Sequence, residues 1–428
     1  MRPGYKPPSR KDLGGHLLDS VHKKLTDRVK DRVSGKQVTL MQDGWSDVHN
    51  NPVIANSIYC EGEAFFVSAI DAGANKKTAS YCTSLAKEAI TTVENDFQCT
   101  VTSVVTDNEK KMEVMRNNLR EDNPSLTVYG CSAHWLNLLG QDITPSAIMG
   151  QVVEVNKYFR SHHTPGALLS AIPGSVKPQL PADTRWNSQM TAIETFLKNR
   201  PFMIQLLSQN EDDIDQRISN LVLNVGLYNE VKSLYKQLTP IATALNSVQS
   251  DDSSLADSCE NWLDLLSNDD LQPHRVVVKK WFEKAMTTAH FLANALHPVY
   301  RGQKLSSCQL TSVHDLVMKS NPDALPDLLN FTSQCLELPS ALSSQSVIES
   351  VKPTVWWACL EKSSVVGESL CSVAKAMMKM PSSSASLERI FSNFGVIQTK
   401  LRNRLGIQKA AKLVLCYRVL RGSEELDW

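Results

Sequence analysis

The sequence predicts a mixed α/β fold, a sheet flanked by helices and interrupted by a large all-helical insertion. Three observations predict it. Three β-rich runs follow one another between residues 37 and 70. Helical and β-branched runs then alternate as far as residue 130. From about Trp135 to Pro381 helical periodicity takes over. Consecutive strands followed by alternating helices and strands give a mixed sheet with helices packed on it.

The elements justify themselves in order. The opening MRPGYKPPSR is Pro-rich and basic, and reads as extended. Leu17, Leu18, Val21, Leu25 and Val29 then recur at helical spacing, which predicts a helix over Lys11–Arg32. Gln37–Asp43 alternates apolar and polar residues and ends at an acid. Pro52–Cys60 and Glu63–Ile70 are the next two strands, with Asn50-Asn51 and Glu61-Gly62 as turns, so an antiparallel meander is expected. Thr78–Phe97 is helical, Val101–Asp107 is a β-branched run that again ends at an acid, Lys110–Asn123 is helical and Leu126–Gly130 is a short strand. Helices are expected at Ala147–Arg160, Met190–Lys198, Val225–Gln249, Val276–Leu296, Ser384–Thr399 and Ile407–Arg421. The organisation that follows is an extended segment and helix at 1–35, the first part of the sheet domain at 36–140, a helical insertion at 141–380 and a closing segment at 381–428.

Composition narrows the function classes. A chain of 428 residues holds two or three folding units. Its 42% hydrophobic and 21% charged content is that of an ordinary globular protein. Net charge is zero, so whole-chain electrostatics gives no support to nucleic-acid binding, in which phosphate contacts dominate affinity. The ten cysteines contain no CxxC pair, and neither a signal-like segment nor an apolar run of membrane-spanning length occurs. Reduced thiols in an intracellular protein with no membrane association are expected.

Asp43 and Asp107 each close a strand, the edge where α/β proteins often place their chemistry. Converging carboxylates repel unless a cation neutralises them, and Mg²⁺ prefers such oxygen ligands. The same position suits a turn former or helix cap, and position alone does not decide between the two.

Several ordered segments resemble hAT-superfamily DNA transposases: MQDGWSD (41–47), VVTDNEKKM (104–112), GCSAHWLNLL (130–139), TRWNS (184–188), PSSSASLERIFSNFG (381–395) and KLRNRLG (400–406). The resemblance implies an RNase H-like core and a catalytic triad of two Asp and one Glu, falling on Asp43, Asp107 and Glu388. The triad would hold Mg²⁺ or Mn²⁺ for DNA cleavage and strand transfer. In sequence 64 residues separate the first pair and 281 the second. The resemblance further implies self-association, as a homo-dimer or higher homo-oligomer, through the C-terminal region, DNA as partner and residence in the nucleus. Cys131 and His134 match a CxxH motif, read as a buried thiol and a hydrogen-bonded imidazole in preference to half of a zinc site. Arg185 and Trp186 match an RW motif expected to contact a displaced base, with a core Trp as the plain alternative. Lys400, Arg402 and Arg404, near Arg389, Lys409 and Lys412, are the best candidates for phosphate contacts, against a solvated helical face.

The chain departs from that pattern in three ways. The upstream BED-type zinc finger is missing, so a fragment or a lost finger is expected. Glu109, Lys110 and Lys111 stand where small residues are the family habit, and the insertion is short. A domesticated, non-enzymatic protein-interaction or DNA-associated module is therefore the second reading, and a nuclease acting on RNA or hybrids is the third.

Overall fold

Every β-rich run becomes a strand. A computed structural model describes residues 7–46, 51–73, 77–182, 186–209, 214–399 and 405–422. Its sheet contains β1 (Gln37–Ser46), β2 (Pro52–Cys60), β3 (Glu63–Asp71), β4 (Thr100–Thr106) and β5 (Thr127–Gly130), in the order β3-β2-β1-β4-β5. The first three form the expected antiparallel meander, and β4 and β5 run parallel to β1. This is the mixed sheet flanked by helices that the sequence predicts.

Local chemistry explains the turns and crossovers. Glu61 and Gly62 both take positive φ, 52° and 96°, between β2 and β3. Two such residues make the hairpin turn whose twist matches the flanking strands, and the glycine adopts it without strain. Parallel strands need a crossover, supplied by α3 (Ala79–Phe97) into β4 and α4 (Lys110–Asp122) into β5. The Thr78 hydroxyl caps α3, accepting from the Tyr81 amide at 3.2 Å. Leu85, Ala86, Ala89 and Val93 of α3 and Met112, Met115 and Leu119 of α4 then close over Val38, Leu40, Ile54, Ile58 and Val104 of the sheet. Each fully buried aliphatic contributes about 1.5–3 kcal/mol.

The first helix differs from expectation. It is two pieces, α1 (Arg10–Leu13) and α2 (His16–Val33), parted at Gly14-Gly15. A Cβ on Gly15 would stand 2.8 Å from the Lys11 carbonyl oxygen, so the break is built on glycine. The expected helix over Val276–Leu296 is likewise Arg275–Ala285 followed by Thr288–Leu296, because Thr287 and His290 form a capping box that starts a new helix.

The chain divides into two compact units. The first comprises residues 1–133, 248–260 and 286–428, and the second comprises 134–247 and 261–285. In the first, the helix Ala385–Ile397 packs on β1 and β3, and the helix Ile407–Gly422 packs along β3 and α2. Trp356 and Trp357 are fully buried there, with their indole N–H groups on the carbonyls of Leu342 and Leu296. In the second, Val152, Val155 and Phe159 of the helix Ser146–Ser161 bury against Ile193, Phe196 and Met203 of the helix Asn187–Gln209. No helix among the described residues is long and apolar enough to cross a membrane.

Gly140 of the helix Ser132–Ile143 lies directly under the Trp186 ring, where a Cβ would overlap the fused-ring carbons of the indole. Gly140→Ala is therefore expected to destabilise the helical unit by about 1–3 kcal/mol, the cost of overpacking a filled core, although alanine is the better helix former. Urea unfolding followed by tryptophan fluorescence measures it; an unchanged midpoint would show that the ring moves aside freely.

Candidate active site

β1 sets the first acid. Side chains alternate along a strand, so Leu40 enters the core under α3 while Met41, Asp43 and Trp45 share the opposite face. The helix Ala385–Ile397 covers that face. The Ser386 hydroxyl lies 3.3 Å from the Met41 sulfur, and Phe391 and Phe394 stack on Trp45 at ring-centroid distances of 4.4 and 4.9 Å. Asp43 stands between Met41 and Trp45, and Glu388 between Ser386 and Phe391. Residues three apart on a helix share a face, so Glu388 keeps company with Phe391. Asp107 is the first residue past β4, the parallel neighbour of β1, whose Thr106 pairs with Gln42. Its carboxylate also turns the chain into α4, accepting from the Glu109 amide at 3.3 Å.

The electrostatics follow from this placement. Burial, then the Asp107 carboxylate, and more weakly Glu388 and Glu109, push the Asp43 carboxyl up to about 8, against one hydrogen bond from the Gly44 amide that pulls it down. Three hard carboxylate donors suit Mg²⁺ or Mn²⁺ chemically. As placed they sit within electrostatic reach of one another, yet among the described residues no three His, Cys, Asp or Glu side chains are grouped tightly enough to hold a metal ion.

A buried polar seam delivers Glu388 to the sheet. The Tyr129 hydroxyl of β5 donates to the Pro381 carbonyl at 2.8 Å, and the Ser132 amide donates to the Ser382 carbonyl at 3.1 Å. The Ser384 amide donates to the Cys131 sulfur at 3.4 Å. Both Ser382 and Ser383 hydroxyls donate to the Val248 carbonyl, at 2.8 and 2.7 Å. Cys131 is thus a buried thiol that seats the start of the Glu388 helix, and His134 is half-buried on the helix Ser132–Ile143.

Three residues unremarked in the sequence reading join the site. Arg116 of α4 is 7% exposed and donates to the Thr106 hydroxyl at 2.7 Å and the Asp107 carbonyl at 2.5 Å, fixing the backbone that carries the second acid. Lys77 places its ammonium beneath Gly44, where a Cβ would come within 2.9 Å, and donates to the Val53 carbonyl at 3.4 Å. Tyr129 anchors the seam. The seam's serines were legible as the PSSS of the motif, whereas an Arg inside an amphipathic helix gave no signal.

Trp186 is 1% exposed, its indole N–H on the Thr144 hydroxyl at 3.0 Å, so its ring packs the helical unit as placed. Arg185, Lys400, Arg402 and Arg404 lie outside the described residues. Of their neighbours, Arg389 pairs with Asp251 and Lys412 with Asp19.

Residues 8–158 match the family described as a domain of unknown function, DUF659. DUF659 is found in hAT-type transposase-like proteins. The DUF659 match spans all five strands and includes Asp43, Asp107, Cys131 and His134, while Glu388 and Trp186 lie beyond it. None of the curated proteins compared with the chain matches it.

A carboxyl that keeps its proton to about pH 8 when folded, but loses it near 3.8 when unfolded, makes the folded state less stable as pH rises through that window. Asp43→Asn removes the penalty. In EDTA its melting temperature should gain on the wild type between about pH 4 and pH 8 and run parallel above. A difference that is flat with pH would mean that Asp43 ionises normally.

Proposed function

We propose that the chain is a hAT transposase-like protein in which Asp43, Asp107 and Glu388 form a metal-dependent site for DNA cleavage and strand transfer. The observation that carries this reading is that Asp43, buried at one edge of the sheet and within electrostatic reach of Asp107 and Glu388, holds its proton to about pH 8. A DUF659 match over the first two acids supports it.

In this reading Asp43 is held within β1, Asp107 at the exit of β4 and Glu388 by a helix stacked on Trp45. Bound Mg²⁺ or Mn²⁺ would neutralise the three carboxylates, activate the attacking oxygen and stabilise the leaving one at a phosphodiester. Arg116 keeps the Asp107 backbone from shifting as charge develops. Lys77 and Lys111 sit on the α3 and α4 side of the same edge and feel Asp43 and Asp107 respectively, so a phosphate backbone crossing it meets acids on one side and ammonium groups on the other. DNA is then the partner, the 381–428 region the self-association surface and the nucleus the working compartment.

A second reading, a non-enzymatic nuclear protein-interaction or DNA-associated module derived from a transposase, is favoured by the zero net charge. One experiment separates the two: purified protein is incubated with intact and pre-nicked DNA hairpins in Mn²⁺, wild type beside Asp107→Asn. The catalytic reading expects cleavage that falls roughly 100-fold or more in the variant, the usual cost of losing one group at a charged transition state. Folded wild-type protein that cuts neither substrate would retire it in favour of the module.

A further inference from the structure

A second site lies away from the acids, at the start of β3. There a cavity of about 500 Å³ opens between the strand and the helix Ile407–Gly422, its walls including Phe65, Asn393, Tyr417, Arg418 and Arg421. Positive charge is in excess. Of the acids near Arg418, Glu63, itself on the cavity wall, pairs with Arg32 and Asp251 pairs with Arg389, so each carboxylate is shared between two guanidinium groups. Arg418 is half-buried and makes no hydrogen bond or ion pair among the described residues. Arg421 stacks its guanidinium on the Tyr417 ring and spends one N–H on the Tyr417 hydroxyl at 2.6 Å, leaving its other donors open. The Asn393 side chain likewise has no partner among the described residues.

A half-buried guanidinium that forgoes all its hydrogen bonds is costly, since each unmade bond to a charged group forfeits about 1.5–3 kcal/mol. Two such forks facing one cavity match the planar, bidentate demand of a phosphate, and the apolar walls from Val29, Phe65 and Leu415 strengthen the attraction by excluding water. We propose that this cavity binds a phosphoryl group, with Arg418 as its principal ligand and Arg421 and Asn393 as supporting donors. The phosphoryl group belongs either to a small phosphate-bearing molecule or to a nucleic-acid backbone. The inference is independent of the acid site, because no residue is shared between them.

The test is melting temperature and calorimetric titration of the full chain with sodium phosphate against sodium chloride at matched ionic strength. Phosphate should stabilise the wild type, and Arg418→Gln should weaken binding at least about tenfold, as expected for loss of a charge-assisted pair. Arg421→Gln, at an exposed position, should weaken it several-fold and serves as the deciding variant should Arg418→Gln not fold. A short single-stranded oligonucleotide that competes with phosphate assigns the site to a backbone, and one that does not assigns it to a small molecule. A wild type indifferent to phosphate, or variants that bind it as tightly as wild type, would overturn the proposal.

Discussion

The placement of Glu388 on the sheet depends on the buried seam between β5 and the Pro381–Ser384 segment. Glu388 follows Asp107 by 281 residues, and a chain returning over such a distance has no local reason to settle on one strand. The seam supplies that reason with tyrosine, backbone amide and serine hydroxyl donors, each worth about 0.5–1.5 kcal/mol net when made and about 1–3 kcal/mol when a buried partner is stranded. The penalty for missing the register exceeds the reward for making it, so the seam acts more as a selector of position than as a source of stability. Aromatic stacking of Phe391 and Phe394 on Trp45 then locks rotation of the helix, because any other face would pull both rings off β1.

Placement of that helix fixes the sign of the field at the sheet edge. Burial, with the Asp107 charge second and Glu388 weaker, is why Asp43 holds its proton so far above the ordinary carboxylate range. Arg116, close by, feels the Asp107 charge and donates to the Thr106 hydroxyl and the Asp107 carbonyl. The guanidinium thereby holds the backbone that carries the second acid.

The sheet was legible in the sequence because its signals are local. Alternation in 37–43 and β-branched runs in 52–60 and 101–106 declare strands without reference to anything distant, and the Glu61-Gly62 turn pins the hairpin. The helix break at Gly14-Gly15 was missed because apolar spacing continues across it, and only the close approach of Gly15 to the Lys11 carbonyl reveals the interruption. Of the candidate site, the two strand-end acids were visible from position, and Glu388 only through resemblance. Arg116, Lys77 and Tyr129 were invisible, since what distinguishes them is a side-chain contact outside their own element.

Trp186 shows how the same physics constrains an expectation carried by resemblance. A ring meant to stack on a displaced base must present a face to solvent, and here the face lies on Gly140 with the N–H satisfied by Thr144. Glycine at that contact permits the approach: any side chain would lift the indole from the helix. Withdrawal would expose a large apolar surface and break the bond from the indole N–H to the half-buried Thr144 hydroxyl, costing several kcal/mol by the burial scale for aromatic residues. A role for Trp186 at DNA therefore requires that binding supply that energy through a rearrangement of the helical unit, and a variant such as Gly140→Ala, which already disfavours the packed ring, shifts the balance toward the exposed form at the expense of stability.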